Sequence, residues 1–302
     1  MVANNCNAHS HVVRASIVIP AHDEERLIDE CLRSVANCAD GICLEVVVVA
    51  NGCTDGTVAV ARAFRDIHDL HVLDIPTASK VEALNRGDEV LTTFPRIYLD
   101  ADIRLGEGAL MAMVRALDRP EPLLAAPRAQ IDSSNSSLLV RAFYDIFSRL
   151  PYANDTITVG VYGLSEVGRR RFGSFPAVTA DDLFVQRLFA DSERELVDAD
   201  NHVTAPRDLR NLLRVRARVA RGNRQLANCA PLSGQAKSPL LQPSTASLFH
   251  PSTASTTRAL LSIAVANPRL LPAGLVYGLV TVLARVLSRC SGRSWGRDSS
   301  TR

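Results

Sequence analysis

Two aspartates one residue apart, Asp100 and Asp102, close the short apolar run in "IYLDADIR", Ile97 to Arg104. In an extended strand, residues two apart project to the same face. The pair would therefore stand together at a strand end against its own repulsion, and something positive must offset it. Carboxylate oxygens are what hard divalent cations prefer, so one reading is Mg2+ or Mn2+ held by the pair and shared with a diphosphate. The other is a solvated turn after a strand. Further acids recur at comparable places: Asp23 and Glu25 in "PAHDEE", Asp55 in "ANGCTDGT", and the adjacent Asp181 and Asp182 in "ADDLFVQRLF". Asp55 has a second reading as the cap of the helix after it. Asp181 and Asp182 fall at a predicted helix start, where the helix dipole favours an anion, and capping alone would explain one of them. Lys80 opens another predicted helix in a chain whose only other lysine is Lys237.

The elements that position these residues alternate regularly. "ASIVIPA", "LEVVVVANG", "HVLDIP" and "RIYLDADI" read as strands, the first two as continuous apolar runs short enough to be buried on both faces. Between them "DEERLIDECLRSVANC", "DGTVAVARAFR" and "SKVEALNRGDEVL" carry apolar residues at helical spacing. After them come a helix in "GEGALMAMVRALDR" and a strand-like "PLLAAPRAQI". Such alternation predicts a mostly parallel sheet with right-handed crossovers, in which ligands bind beyond the carboxyl ends of the strands. Asp23, Asp55 and the aspartate pair all follow strand ends, so all are expected on one edge.

The second half is less regular: a helix over "SLLVRAFYDIFSRL", a Gly-interrupted strand or loop in "TVGVYGLS", a short helix in "ADDLFVQRLF" and a strand in "ERELVDADNHVTAP". A helix of about five turns follows from Arg207, with Arg207, Arg210, Arg214, Arg218 and Arg221 as one stripe and Leu209, Leu212, Leu213 and Val219 opposite.

The motifs resemble those of family 2 glycosyltransferases, nucleotide-sugar enzymes of GT-A fold, in the order "SIVIPAHDEERLIDECLRSV", "VVVVANGCTDGT", "KVEALNRG", "YLDADI" and "ADDLFVQRL". The resemblance implies an α/β fold of GT-A type, with a mostly parallel, Rossmann-like central sheet flanked by helices and a mainly helical C-terminal extension. It implies Pro20, Asp23, Glu25 and Asp55 at a uridine or guanosine pocket, and Lys80 and Arg218 toward the nucleotide sugar. It further implies Asp100 at the ribose or metal, Asp102 on a Mn2+ or Mg2+ ion, and Asp182, beside Asp181, as the base that deprotonates an acceptor hydroxyl. Processive polysaccharide synthases of the family carry Gln-x-x-Arg-Trp after the base. Here Val215-Arg216-Ala217-Arg218-Val219 keeps the arginine and loses Gln and Trp, which points to one sugar per encounter. The expected partners are a UDP or GDP type sugar donor and a hydroxyl acceptor, which the family analogy sets in cell-envelope or lipid-linked glycan synthesis; nucleic acid is not expected. A sugar-phosphate nucleotidyltransferase would need a glycine-rich loop where "PAHDEERL" stands. A non-catalytic anion- or membrane-binding protein on a transferase-like body would not need acids at these motifs.

The expected organisation is a flexible N-terminus 1–14, the GT-A domain 15–226, a Pro/Ser/Thr-rich linker 227–258, an apolar helical segment 259–288 and a basic tail 289–302. Charge is split along the chain. From residue 207 onward stand 15 of the 34 basic residues and two of the 32 acids, Asp208 and Asp298, so the basic third is suited to phosphate or an anionic membrane surface. From Leu270 to Leu287 the chain is apolar for about 18 residues, near the lower limit for a spanning helix. Arg285, Arg289, Arg293 and Arg297 fall within or beyond its end. A surface tether is the expectation, with a buried hairpin and a true span as alternatives. Seven cysteines in no CxxC pair favour free thiols. The N-terminal residues lack the apolar core of a secretory signal, which places the expected location in the cytoplasm, peripheral at the inner face of the cell membrane.

Overall fold

The computed structural model describes residues 13–150, 158–228 and 253–290. The expected N-terminus 1–14, linker 227–258 and tail 289–302 lie mostly outside the described residues. Two compact units are present, one of Met1–Gln130, Ile157–Ala177 and Leu188–Val203, the other of Ile131–Thr156, Val178–Arg187 and Thr204–Arg302.

The first unit is built on the predicted alternation. Strands β1 (Val13–Ala21), β2 (Ile42–Asn51), β3 (Asp69–Ile75) and β4 (Arg96–Leu99) are separated by helices α1 (Ile28–Cys38), α2 (Thr57–Ala63) and α3 (Lys80–Val90). Parallel ladders join β1 to β2, β2 to β3, and β1 to β4. Every β1 residue from Ala15 to Ala21 is buried, as a strand covered on both faces requires. Ile17 and Ile19 belong to the core that holds Cys31, Leu32 and Val35 of α1. On the opposite face α3 comes so close at Gly87 that any side chain there would collide with Val18.

Beyond β4 the chain adds β5 (Ile103–Leu105), α4 (Ala109–Leu117), β6 (Leu124–Asp132), β7 (Val161–Leu164), a one-turn helix α6 (Glu166–Arg169) and β8 (Arg194–Thr204). These strands extend the sheet in the order β3-β2-β1-β4-β7-β6-β8-β5. Here pairing turns antiparallel: β7 runs against β4 and β6, and β5 against β8. The chain steps outward from β1 to β3 and then returns to β1's other side with β4, so the crevice between the ends of β1 and β4 is the switch point where such sheets take their ligands.

One expectation needs correcting. "RIYLDADI" is two strands, because the Ile103 amide donates to the Asp100 carbonyl at 3.1 Å and closes a turn. Asp100 and Asp102 therefore belong to a turn and not to the two-residue period of a strand. Between them Ala101 is buried in the core.

Beneath β4 lies a buried ionic network. Asp88 of α3 pairs with Arg96 at 2.7 Å and with Arg169 at 2.7 Å. The Tyr98 hydroxyl donates to Asp88 at 2.9 Å, and Arg96 Nε donates to the Ser16 hydroxyl at 2.7 Å. Arg169 also lies over the Phe172 ring, 4.3 Å from its centroid. Burial, with the charge of Asp88, pushes the Tyr98 phenol well above its ordinary value and keeps it a donor. The network fixes α3, β1, β4 and α6 together.

The second unit contains α5 (Leu138–Phe147), α7 (Asp181–Gln186), α8 (Leu209–Asn228), α9 (Thr253–Ala266) and α10 (Leu271–Cys290). The apolar stretch expected as one segment over 259–288 is two helices, parted by a 3-10 turn at Pro268–Leu270. Its core joins Val140, Phe143 and Ile146 of α5 to Leu212 of α8 and to Tyr277 and Val280 of α10. The Phe143 and Tyr277 rings stack with centroids 5.1 Å apart. Asp208 caps α8, accepting from the Asn211 amide at 2.9 Å. Within α8, Arg210, Arg214, Arg218 and Arg221 recur at helical spacing, whereas Arg207 precedes the helix. Leu212 is buried as expected, but Val219 is exposed, because on that turn of the helix it is Ala217 and Gly222 that face inward.

Removing Asp88 leaves two guanidinium groups buried without their carboxylate, a loss of about 3–5 kcal/mol for a broken buried pair. Asp88→Ala should lower the urea-unfolding free energy by that amount, and a wild-type midpoint and slope would show the network to be dispensable.

Candidate active site

Around the switch crevice the first unit gathers the loops that follow β1, β2 and β4. Pro20 is buried within β1, opposite Val49. β4 pairs only with Ser16 to Val18, so Pro20 lies past the last rung on that side, where its missing N–H interrupts no ladder. The next residues turn sharply. Asp23 has φ +49°, a left-handed conformation that aspartate tolerates better than most side chains. Its Oδ1 accepts from the Thr54 amide at 2.6 Å and the Thr54 hydroxyl at 3.2 Å.

Two further acids repeat this cross-tie between the loops after β1 and β2. Glu25 Oε2 accepts from the Gly56 amide at 3.1 Å, and Asp55 Oδ2 accepts from the Glu25 amide at 3.2 Å. Asp55 Oδ1 takes the Thr57 amide at 3.0 Å and the Thr57 hydroxyl at 2.5 Å. Burial raises the Asp55 carboxyl, but the bonds from Thr57 and Glu25 outweigh it and hold the group below its ordinary value. Asp55 thus stands one residue before the N-cap, which is Gly56, where it accepts the first amide of α2 and also buttresses the neighbouring loop. Gly52 makes the second loop possible: its φ is +61°, and a Cβ there would sit 2.8 Å from the Ala78 nitrogen.

Lys80 meets one member of the aspartate pair. Its Nζ lies 2.7 Å from Asp100 Oδ1, both side chains being partly exposed. Ser79 caps α3 by accepting the Glu82 amide at 3.2 Å, which sets Lys80 at the first helical position. The Asp100 amide donates to the Gly160 carbonyl at 2.8 Å, so the backbone of the turn is fixed too. Asp102 is exposed. The Cys31 thiol beneath reports the charge gathered above it. Burial first, then the charges of Asp102, Asp100 and Glu24, push that thiol far above its ordinary range. The acids after β1 and β4 therefore share one edge, as expected.

His22 and Cys53 were passed over by sequence reasoning. His22 Nδ1 donates to the Asn51 carbonyl at 2.5 Å, the Asp23 amide donates to Cys53 Sγ at 3.4 Å, and ligand atoms of His22, Asp23 and Cys53 lie within 4.8 Å of one another. Only their places beside Asp23 and Asp55 in the quoted loops could have signalled them. Among the described residues Cys31, Cys38, Cys43 and Cys53 are in no disulfide.

The remaining residues implied by the resemblance belong to the second unit. Asp181 and Asp182 form the first turn of α7; Asp181 is buried, while Asp182 is half-buried and its Oδ1 accepts from the Leu183 amide at 2.7 Å. Arg218 is half-buried on α8.

Comparison with known proteins matches residues 16–172 to the model of Glycosyl transferase family 2. Among solved structures the chain is similar to the mannosyltransferase PcManGT from Pyrobaculum calidifontis, in complex with GDP-Man and Mn2+, at 20% identity over 91% of this chain and 87% of that one, with TM-score 0.63. Weaker likenesses are to TarS 1-349 of S. aureus, at 14% identity over 90% and 80% of the two chains with TM-score 0.46, and to glucosyl-3-phosphoglycerate synthase from Mycobacterium tuberculosis with Mn2+, UDP and glucosyl-3-phosphoglycerate, at 19% identity over 65% and 70% with TM-score 0.42. At such identities the likeness is one of fold. No curated protein matches the chain.

Because the folded-state carboxyl of Asp55 is depressed, its stabilisation is present above the unfolded-state value of about 4 and is lost as pH falls through the folded value. Asp55→Ala should therefore cost more stability at neutral pH than in acid. Urea unfolding of both proteins across that range checks this, and a pH-independent difference would contradict it.

Proposed function

Since the chain belongs to glycosyl transferase family 2 and is a glycosyltransferase, we propose that it moves one sugar from a UDP or GDP type donor to a hydroxyl acceptor, with a divalent cation, and inverts the anomeric centre. The observation that carries this reading is the Lys80–Asp100 pair at 2.7 Å beside exposed Asp102, at the switch point of the sheet. A nucleoside diphosphate needs charge of both signs there: a cation against its oxygens and carboxylates to hold that cation.

The residues fit Mn2+ or Mg2+. Asp100 and Asp102 offer hard oxygen donors, and both carboxylates, after burial itself, raise the Cys31 thiol beneath them. When bound, the ion neutralises charge on the departing diphosphate. PcManGT, of like fold, is described with GDP-Man and Mn2+, which supports both the donor class and the metal.

The chain's own groups do the rest. Lys80 lies within reach of Asp100 and supplies positive charge for the diphosphate oxygens. The cross-ties from Asp23, Glu25 and Asp55 hold two loops as the walls of the nucleoside pocket. Asp182, the more accessible of its pair, takes the acceptor proton, because an alcohol attacks poorly until that proton is removed in the transition state. The hydroxyl oxygen bonds to the anomeric carbon as the bond to the diphosphate breaks on the opposite face. The electron pair leaves with the diphosphate, so one displacement inverts the centre. Arg218 is assigned to the donor side on resemblance.

Non-processive transfer is supported by α8, where Val215 and Val219 stand at the Gln and Trp positions of the processive signature and Val219 is exposed. The acceptor class we favour is a hydroxyl of cell-envelope or lipid-linked glycan synthesis.

Two variants separate the roles. Asp102→Ala should abolish Mn2+-dependent binding of UDP or GDP with an unchanged thermal melt, and undiminished affinity by calorimetry would remove Asp102 from the metal site. Asp182→Asn should lower turnover by about 10²-fold or more with donor affinity retained; if Asp181→Asn is the inactive variant instead, the base is assigned to the wrong residue.

A further inference from the structure

Helix α10 is apolar on both of its faces. One face, with Tyr277, Val280 and Ala284, is buried within the second unit, and Arg224 of α8 donates to the Ser288 hydroxyl at its far end. The other face is open. Leu275 is 76% exposed, Leu279 61%, Val282 57% and Val286 51%. At 100° per residue these four fall on one stripe, opposite the buried set. Preceding helix α9 adds Leu261 at 61% and Val265 at 82% exposed. Isolated exposed apolar residues need no explanation, but a continuous stripe along a helix of 20 residues marks a binding surface.

Charge identifies the occupant. From residue 209 to residue 290 the sequence contains no aspartate or glutamate. Arg258, Arg285 and Arg289 on these helices and Arg269 in the turn between them are all exposed. A second copy of this face would bring the same cations against each other. An anionic lipid surface offers what both parts require, an acyl boundary for the leucines and phosphates for the guanidinium groups.

The packing of α10 decides how it meets the lipid. By length and composition Pro268–Arg289 is able to cross a membrane. Its inner face, however, rests on α5 and on α8, which carries six arginines. Spanning would strip those helices away or draw arginine into hydrocarbon, and arginine at membrane depth is strongly disfavoured. We infer that α9 and α10 dock in the plane of an anionic bilayer, the outer stripe of α10 entering the headgroup–acyl boundary and the arginines meeting phosphate. This does not depend on the transferase reading, and its test needs no activity.

The test is flotation of the full-length protein with vesicles of phosphatidylcholine alone or of phosphatidylcholine with phosphatidylglycerol. The protein should float with the anionic vesicles at low salt, by about ten-fold over the neutral ones, and be released by high salt and alkaline carbonate. The triple variant Leu275→Ser, Leu279→Ser, Val282→Ser should lose flotation while keeping the melting temperature, since all three side chains already face solvent. If that variant does not fold, Arg285→Gln with Arg289→Gln gives the same reading through charge. Protein that stays soluble at low salt, binds both vesicles equally, or stays bound through carbonate overturns the proposal. So does stripe-dependent dimerisation in the absence of lipid, which would make a second copy the occupant.

Discussion

Parallel strands deliver their carboxyl ends to one edge of a sheet, and whatever charges follow those strands must meet there. In this chain the residues that follow β1, β2 and β4 are acidic, so the fold crowds negative charge at the switch point and the structure answers that crowding at several levels. Asp23, Glu25 and Asp55 are satisfied by backbone amides of neighbouring loops, at 2.6–3.2 Å. Asp100 is met by Lys80 at 2.7 Å. Asp102 lies exposed beside them. This uneven distribution, in which most of the acids tie loops together and Asp102 stands open to solvent, suits a site that takes a diphosphate and a divalent cation.

Lys80 holds its place through the network underneath. Asp88 lies on the same helix, two turns further on, and is locked to Arg96 of β4 and Arg169 of α6. A shift of α3 along the sheet would move the lysine from Asp100 and break two buried ion pairs together. The glycine at position 87 lets the helix approach Val18 closely enough for that lock to form.

How much of this could be read beforehand follows from the physics of each feature. The strands and helices through Val90 announced themselves because buried strands and amphipathic helices differ in the period of their apolar residues. The turn at Asp100–Asp102 did not, since "IYLDADI" continues an acceptable strand pattern and only the Asp100 carbonyl's bond to Ile103 breaks it. The quoted motifs marked the loops that follow β1, β2 and β4, yet not the hydrogen bonds those loops make. That Asp23 bonds Thr54 and Glu25 bonds Gly56 depends on two loops meeting from 31 residues apart in sequence. Asp88, Arg96 and Arg169 were invisible for the same reason, although an arginine opening the buried strand "RIYL" was a signal that a partner must exist. In the second unit the apolar length of α10 was evident, but which face packs and which stays open is a property of its neighbours.

The central claim is that the edge bearing Lys80, Asp100 and Asp102 takes a nucleoside diphosphate together with a divalent cation. Calorimetric titration of the wild-type protein with UDP and with GDP, in Mn2+ and in excess chelator, tests this most directly. The account predicts that one of the two binds in Mn2+ and loses most of its affinity when the metal is removed. Binding of neither nucleotide in Mn2+, or equal affinity with and without the metal, would contradict it.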